Sequence, residues 1–254
     1  MGDAAGNLRL ARDAIGRAAE AGADLVVLPE LVTSGYVFRD AAEARALALP
    51  AGAPELAAWG GAGPLVVGGF CELGADGRLY NSAAVVGRAG VLAVYRKAHL
   101  WDRERLVFTP GDAPPAVVDT EHGRIGVIVC YDLDFPEWVR AAALAGAELL
   151  CVPTNWPREP RPDGERPMEV MRAMVAASTN RMCVVACDRC GPERGVEWVA
   201  GSVIADERGW LLAGPPERAE PALLLADVDL ARARDKALSP ANDALADRRP
   251  DLYA

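Results

Sequence analysis

The chain has 254 residues, 51% of them hydrophobic, and a formal net charge of -9. A chain of this length and apolar content can close a core without disulfide bonds or a structural metal. Its negative charge disfavours contact with phosphate backbones and anionic lipid, so nucleic-acid and membrane roles are not expected. No apolar run approaches the roughly 20 residues that span a bilayer, and the first residues lack a signal-peptide profile, so we expect a cytoplasmic protein.

The first predicted elements place a carboxylate at the end of a buried strand. Apolar residues recur at helical spacing from Leu8 to Ala19, and Gly22 supplies a stop. The apolar stretch 23–28 then predicts a strand buried on both faces, which Pro29 ends because it lacks a backbone N–H. Glu30 therefore lies at the carboxyl end of this strand.

The same alternation of strands and helices continues along the chain. Strands are predicted over residues 64–70, 81–86, 91–96, 124–129, 149–152, 182–186, 199–205 and 223–228, and a turn at 207–209 leads into a hairpin partner at 210–213. Helices are predicted between residues 136 and 146 and over 168–180, where Met171, Met174 and Val175 have core spacing.

This order of elements predicts an α/β fold with mixed sheets. Strands separated by helices favour an α/β class, but the consecutive strands imply hairpins as well, which disfavours a purely parallel sheet. Two mixed sheets packed face to face, with helices outside both, accommodate the whole pattern. No linker composition divides the chain, so we expect one domain over residues 1–254.

Four residues whose side chains are candidates for a reactive site follow predicted strands: Glu30, Lys97, Cys130 and Trp156. In layered α/β proteins the reactive crevice lies at the carboxyl ends of strands. Taken singly, each has an ordinary explanation as a solvated charge or a packed core residue. Together they fit a thiol nucleophile, which needs a proton acceptor and a cation that stabilises the oxyanion.

Two alternative uses of the cysteines stay open at this point. A Cys–His dyad would have to use His99 or His122; the second lies in an exposed-looking turn, and the first is expected to make a structural hydrogen bond. Cys187 and Cys190 form a CxxC pair, although zinc would need two further ligands. A non-catalytic metal-binding or redox protein that uses this pair is therefore a hypothesis from another functional class.

Three sequence blocks resemble those of a known family. VVLPE ending at Glu30, YRKAHLW around Lys97 and GVIVCYDLDFPE around Cys130 are similar to the signature blocks of the nitrilase superfamily, the carbon–nitrogen hydrolases. Their order and spacing also fit, and the resemblance extends from Gly2 to about Leu230. It implies a four-layer αββα sandwich, a homodimer or larger homo-oligomer, and a Glu–Lys–Cys triad that works without a metal or an organic cofactor.

The resemblance also implies a role for each matching residue. Cys130 is the expected nucleophile, Glu30 the general base and then acid, and Lys97 the cation that stabilises the oxyanion. The second glutamate of the family, which positions the triad and the substrate, best matches Glu104. The backbone N–H of Tyr131, directly after the nucleophile, is the expected second oxyanion donor.

The resemblance further predicts the substrate pocket and the substrate class. Asn155 and Trp156 match the family's pocket segment, and Tyr36, Trp198 and Phe135 are candidate pocket walls that would serve equally well in the core.

The triplet from Cys130 to Asp132, Cys-Tyr-Asp, is typical of amidases, whereas nitrile-hydrolysing members tend to carry Cys-Trp-Glu. We therefore expect a small-molecule amide as the substrate, with a nitrilase or an N-carbamoyl hydrolase as the alternatives.

One departure from the family pattern concerns the start of the chain. Family members open with an apolar strand ahead of the segment that corresponds to Gly2–Leu8, and here Met1 stands where that strand should have ended. Loss of a sheet strand would expose ladder groups and apolar surface. The expectation is either a start codon assigned too late or a destabilised protein.

Overall fold

The computed structural model describes residues 1–253. Its α-helices are α1 (Ala4–Glu20), α2 (Ala41–Leu47), α3 (Pro54–Ala57), α4 (Pro136–Leu144), α5 (Met168–Asn180) and α6 (Leu230–Arg234), and short 3₁₀ helices span Ala58–Ala62, Asp102–Leu106 and Cys130–Asp134. Its strands are β1 (Leu25–Val27), β2 (Leu65–Leu73), β3 (Leu79–Gly87), β4 (Gly90–Arg96), β5 (Ala116–Thr120), β6 (Gly123–Val127), β7 (Leu149–Thr154), β8 (Cys183–Asp188), β9 (Val203–Ala205), β10 (Leu211–Ala213), β11 (Ala237–Ser239) and β12 (Asn242–Asp243). None of the described helices is both long and apolar enough to cross a bilayer.

The strands form two large mixed sheets, as the sequence predicts. The first has the order β1-β2-β3-β4, in which β1 runs parallel to β2 and the other pairs are antiparallel. The second has the order β10-β9-β8-β7-β6-β5, parallel from β6 to β8 and antiparallel at both flanks. A small hairpin joins β11 and β12.

The two large sheets pack face to face, and helices cover both outer faces. Val67 and Val85 of the first sheet share one buried cluster with Val127 and Leu150 of the second. This cluster also takes in α4 and α5, which cover the second sheet, while α1 packs on the first sheet through residues such as Ile15. Burial of each large aliphatic side chain contributes roughly 1.5–3 kcal/mol. The protein is thus a four-layer αββα sandwich.

The first helix is longer than the periodicity predicts. It begins at Ala4 rather than near Leu8 because Asp3 caps it, with its carboxylate accepting the N–H of Gly6 at 2.8 Å. It ends before Gly22, whose φ of +83° suits glycine. The chain then enters β1 and reaches Glu30 as expected.

Residues 223–228, predicted as a strand, join no ladder within residues 1–253. Together with Leu25, Val27 and Val185, they line a groove of about 690 Å³ beside β1. The prediction was wrong because an apolar run does not by itself supply the neighbouring strand with free backbone groups that a ladder needs, and none of these six residues is fully buried.

Smaller differences arise in the helices and in one hairpin. Val175 is 59% exposed, so its predicted core position on α5 is wrong, and Ala173, Ala176 and Ala177 are buried instead. These alanines bring α5 close to its sheet. The prediction missed them because it followed the spacing of the larger apolar residues. The strand β5, with one face partly exposed, and the short helices α2 and α3 were not predicted, since none carries a long apolar run.

Candidate active site

The ends of four strands bring the site together from both sheets. Glu30 and Lys97 follow β1 and β4 of the first sheet, whereas Cys130 and Asn155 follow β6 and β7 of the second. The Nδ2 of Asn155 donates to the backbone oxygen of Glu30 at 2.9 Å, which ties the two sheets at this edge.

A glycine on β2 makes the approach of the Glu30 backbone possible. A Cβ on Gly69 would lie 2.5 Å from the Cα of Glu30, closer than real Cβ atoms come to another atom. The backbone also bonds here, because the N–H of Val32 donates to the oxygen of Gly69 at 2.9 Å. Gly69 thus sets the position of Glu30 by having no side chain.

A buried cluster of one ammonium and two carboxylates forms the charged centre. The Nζ of Lys97 lies 2.8 Å from the Oε1 of Glu30 and 2.7 Å from the Oε1 of Glu104. Glu30 and Lys97 have no exposed surface, and Glu104 is 5% exposed. The Nδ2 of Asn81 adds a hydrogen bond to the same Glu30 oxygen at 2.7 Å. Charges removed from water to this degree persist only when they are paired and hydrogen-bonded.

The cluster changes the proton affinity of its members. Burial raises the pKa of Glu30 to about 7, although the charge of Lys97 opposes this rise. Burial lowers the pKa of Lys97, but the carboxylates of Glu104 and Glu30 offset it and hold that pKa well above the ordinary value. Near neutral pH, Lys97 is therefore charged while Glu30 can accept and return a proton.

One oxygen of Glu30 has no partner in the described chain. The Oε2 of Glu30 accepts no hydrogen bond from residues 1–253, in contrast to Oε1, which accepts two. A buried unpaired acceptor is costly in a folded protein, and a catalytic role is one explanation for keeping it. This oxygen is free to take a proton.

Cys130 stands on a strained turn between β6 and the 3₁₀ helix Cys130–Asp134. Its φ of +47° lies in the left-handed region that residues with a Cβ rarely adopt, at a typical cost of roughly 1–3 kcal/mol. The thiol is 5% exposed and lies 4.0 Å from the backbone oxygen of Asn155. Burial raises its pKa well above the usual value, and the charge of Glu30 adds to this. The resting thiol is therefore protonated.

Asp132 connects the cysteine turn to the lysine block. Its carboxylate accepts the N–H of Val129 at 3.0 Å and the hydroxyl of Tyr95 at 2.7 Å. It also accepts the backbone N–H of His99 at 3.0 Å, and the ring Nδ1 of His99 lies 2.7 Å away. His99 thus makes the structural hydrogen bond expected of it, and Asp132 holds the turn of Cys130 against the chain that carries Lys97.

Tyr36 and Trp198 form a wall beside the charged cluster. The hydroxyl of Tyr36 donates to the Oε1 of Glu104 at 2.7 Å. Its ring meets that of Trp198 edge to face, with centroids 5.4 Å apart. Both rings line a cavity of about 190 Å³ together with Phe38 and Phe108.

The remaining predicted positions lie around this centre. Trp156 is buried behind Asn155, with 4% of its surface exposed. The Tyr131 ring packs edge to face on Trp101, with centroids 4.8 Å apart, and its backbone N–H belongs to the first turn of a 3₁₀ helix, where such groups are free of intrahelical partners. Phe135 stacks on His99 with centroids 3.8 Å apart, so it covers the lysine block.

Three polar residues of the site were not predicted to take part. Asn81 was assigned to a strand, and the only signal for its role was an amide at the start of that strand. Glu193 accepts the backbone N–H groups of Tyr36 and Val37 at 2.7 and 2.6 Å and so fixes the Tyr36 loop. Asp188 lies between the two cysteines of the CxxC pair and bonds the segment after β7.

The CxxC pair itself consists of two free thiols. Burial raises the pKa of Cys187 to about 12, which leaves it protonated. Within residues 1–253, no group of three or more His, Cys, Asp or Glu side chains is placed to hold a metal ion.

Comparison with known proteins identifies the family. Residues 1–237 match the carbon–nitrogen hydrolase family. A nitrilase from Pyrococcus abyssi is 36% identical over 253 residues, which cover 97% of this chain and 92% of that protein. The chain belongs to the carbon–nitrogen hydrolase family.

Other relatives of this carbon–nitrogen hydrolase include amidases. An (R)-stereoselective amidase from a Pseudomonas species is 35% identical over 216 residues, 83% of this chain and 75% of that protein. A mutant of the amidase from Nesterenkonia sp. AN1 superposes with a TM-score of 0.81 at 30% identity, covering 98% of this chain and 92% of that one, and carries acrylamide on its active-site cysteine. The protein is a hydrolase of C–N bonds, of the amidase type.

Proposed function

We propose that this amidase hydrolyses a small linear amide to a carboxylate and ammonia or an amine through a thioester on Cys130. The observation that supports it most is the buried Glu30–Lys97–Glu104 cluster, in which Glu30 keeps one unpaired oxygen. Asn155 also links the thiol to this cluster, because its backbone oxygen lies 4.0 Å from the Cys130 sulfur and its Nδ2 donates to the backbone oxygen of Glu30 at 2.9 Å.

In the acylation half of the reaction, Glu30 acts first as a base. Because the resting thiol is protonated, attack needs the Glu30 carboxylate to accept the thiol proton while sulfur bonds to the amide carbon. The carbonyl π pair moves to oxygen and forms a tetrahedral oxyanion. The Lys97 ammonium and the Tyr131 backbone N–H donate to this oxygen. Collapse of the intermediate breaks the C–N bond, and Glu30 returns its proton to the departing nitrogen.

In the deacylation half, Glu30 repeats the same exchange with water. It accepts one proton of a water molecule whose oxygen attacks the thioester carbonyl, and the same two donors stabilise the second oxyanion. Collapse breaks the C–S bond, releases the carboxylic acid and returns the proton to the Cys130 sulfur. No cofactor is needed for this cycle.

Glu104 would act by holding Lys97. Its oxygen competes with Glu30 for the ammonium, at 2.7 Å against 2.8 Å, so Lys97 keeps its charge when Glu30 is protonated during the cycle. Tyr36 in turn fixes the same Glu104 oxygen. This arrangement keeps the oxyanion donor preorganised in both halves of the reaction.

An N-carbamoyl compound is the second candidate substrate, favoured by particular relatives. An N-carbamoylputrescine amidase from Solanum tuberosum is 36% identical over 68% of this chain and 62% of that protein. A carbamoyl group carries the same planar carbonyl and C–N bond as an amide, so the same cycle would apply. Release of carbon dioxide as well as ammonia would distinguish it from a simple amide.

The test compares Cys130→Ala with Cys183→Ala, a second buried free cysteine that begins β8 and so lies at the end of that strand remote from the cluster. Both variants are incubated with a panel of short amides and N-carbamoyl compounds, and ammonia and carbon dioxide are measured. We expect Cys130→Ala to abolish release while it stays folded, and Cys183→Ala to retain it. Mass spectrometry should find the acyl adduct on Cys130 of the unmodified enzyme. Turnover by Cys130→Ala at a rate near that of Cys183→Ala would exclude the thioester mechanism.

A further inference from the structure

Asp188, the last residue of β8, is a buried carboxylate that accepts four hydrogen bonds. Its Oδ1 accepts from the hydroxyl of Thr154 at 3.0 Å, from the backbone N–H of Trp156 at 2.8 Å and from the backbone N–H of the next residue, Arg189, at 2.9 Å. Its Oδ2 accepts the N–H of Gly201 at 2.8 Å. It is 6% exposed and forms no salt bridge within the described residues.

The segment that Asp188 holds contacts both the nucleophile and the base. Asn155 lies between the two bonded residues, Thr154 and Trp156. Its backbone oxygen faces the thiol of Cys130 at 4.0 Å, and its Nδ2 donates to the backbone oxygen of Glu30 at 2.9 Å. The N–H of Glu30 also points to the oxygen of Thr154, at 3.4 Å. A shift of this segment would therefore move Glu30 relative to Cys130.

The same carboxylate holds the far side of the segment. Trp156 packs on the chain around Gly201, where a Cβ would lie 3.2 Å from its ring, and its oxygen accepts the N–H of Val199 at 2.9 Å. Asp188 bonds Gly201 directly and, through its backbone N–H, the hydroxyl of Ser202 at 2.9 Å. One side chain thus fastens the two stretches that enclose Trp156.

We propose that Asp188 is a positioning residue, whose carboxylate fixes the Thr154–Trp156 segment and thereby sets the placement of Glu30 relative to Cys130. It touches neither reacting group, so its effect passes through Asn155. The inference rests on the function proposed above. An ionised carboxylate is an acceptor only, which matches four donors. Burial raises the pKa of Asp188 to about 6, so the group is still mostly ionised at neutral pH.

The experiment uses a matched carboxylate at the opposite end of the neighbouring strand β7. Glu148 precedes β7, is 8% exposed and accepts the Nε of Arg234 at 2.7 Å, remote from the cluster. Asp188→Ala and Asp188→Asn are compared with Glu148→Ala and Glu148→Gln. Three kinds of measurement are made on each folded variant. Peptide mass spectrometry gives the rate at which iodoacetamide alkylates Cys130. Steady-state kinetics give kcat and KM for the best amide, and thermal denaturation gives the unfolding midpoint.

We expect Asp188→Ala to slow alkylation of Cys130 about tenfold and to lower kcat by about 10- to 100-fold with a smaller change in KM, since a misplacement of about 1 Å can cost 10²-fold. Asp188→Asn keeps one acceptor oxygen and should recover part of both rates. The Glu148 variants should lower the unfolding midpoint yet keep both rates within about twofold of the unmodified enzyme.

The outcomes separate this inference from the proposed function. If Asp188→Ala is alkylated at Cys130 as fast as Glu148→Ala, Asp188 is only structural and the inference is wrong. If Asp188→Ala does not fold, Asp188→Asn against Glu148→Gln decides in the same way. An unmodified enzyme that is alkylated at Cys130 but hydrolyses no member of the panel would defeat the proposed function, while the alkylation rates would still decide the role of Asp188.

Discussion

Arg96 and Lys97 are neighbours in the sequence, yet they enter two ion clusters of different character. Arg96 meets Glu72 through two nitrogens, the nearer at 2.6 Å, and the hydroxyl of Ser82 completes the carboxylate at 2.6 Å. Neither oxygen of Glu72 lacks a partner, and the Arg96 side chain is 33% exposed. Lys97, by contrast, is wholly buried between two carboxylates, one of which keeps an unpaired oxygen.

The difference separates a partly solvated ion pair from the buried ion pair that we propose to be catalytic. Successive side chains of an extended chain point to opposite sides of a sheet, so one residue step moves a cation from a solvated edge into the site. Both oxygens of Glu72 have partners. The Glu30 cluster leaves an acceptor open and raises the pKa of Glu30 to about 7. On the function proposed above, this open acceptor is what distinguishes the Glu30 cluster from the Glu72 cluster.

The largest expected effect comes from replacing each cation in turn. Lys97→Met removes an oxyanion donor, and we expect kcat/KM to fall about 10³-fold. It also leaves two buried carboxylates without their cation, which should cost about 3–5 kcal/mol of unfolding free energy near pH 8. Urea denaturation and steady-state kinetics measure both effects.

Arg96→Met is the matched control for this change. Solvent screens its partly exposed pair, so the loss in stability should be about 1 kcal/mol or less and kcat/KM should stay within about threefold. Equal losses of activity in the two variants would refute the distinction between the clusters.

The next effect concerns the two carboxylates. Glu30→Gln keeps the size of the side chain but cannot accept a proton, so we expect kcat to fall about 10²-fold. Glu72→Gln should leave kcat within about threefold. The same amide and the same pH serve for both variants, and circular dichroism confirms that each is folded. More than a tenth of the activity remaining in Glu30→Gln would assign the base to another group.

A smaller and graded effect is the pH dependence of the reaction. Because the pKa of Glu30 is raised to about 7, the fraction of carboxylate able to accept the thiol proton grows as pH rises through 7, and alkylation of Cys130 should follow it. The same shift affects the free energy of unfolding in the opposite direction, because the folded state binds the Glu30 proton more tightly than the unfolded state does. The stabilisation by protonated Glu30 is therefore fully present below pH 4.5, the ordinary pKa of the group, and is lost as the pH rises through about 7. A single midpoint above 9 would show that the thiol alone controls its reactivity.

The sequence predicted which residues of the site follow the ends of strands. The apolar runs before Glu30, Lys97 and Cys130 indicated where each strand stops, and the carboxyl ends of strands converge at one edge of a sheet. The pattern could not predict that Glu193 would hold the Tyr36 loop, because its partners are backbone N–H groups 157 and 156 residues away. Contacts of that kind depend on tertiary packing, and no local periodicity reports them.

The failures at residues 223–228 and at Val175 have a common cause. In both places apolar residues were taken as a sign of a buried element, although Val175 is 59% exposed and Leu225 is 49% exposed. Residues 223–228 line a groove without pairing. On α5 the buried positions belong to alanines, whose small side chains give a weak periodic signal. Asn81 shows the converse, since a polar residue in a strand is buried at the centre of the site.

The smallest expected effect tests whether Glu104 belongs to the open cluster. Tyr36→Phe removes one hydrogen bond to the Glu104 oxygen that also faces Lys97, a loss typically worth about 0.5–1.5 kcal/mol. We expect kcat/KM to fall about fivefold, because Glu104 would hold Lys97 less firmly. Tyr80→Phe, which removes a hydroxyl bonded to Asp76 beside the Glu72 cluster, is the control and should leave kcat/KM unchanged. If the two substitutions had the same effect on kcat/KM, Glu104 would not transmit the position of Tyr36 to the ammonium.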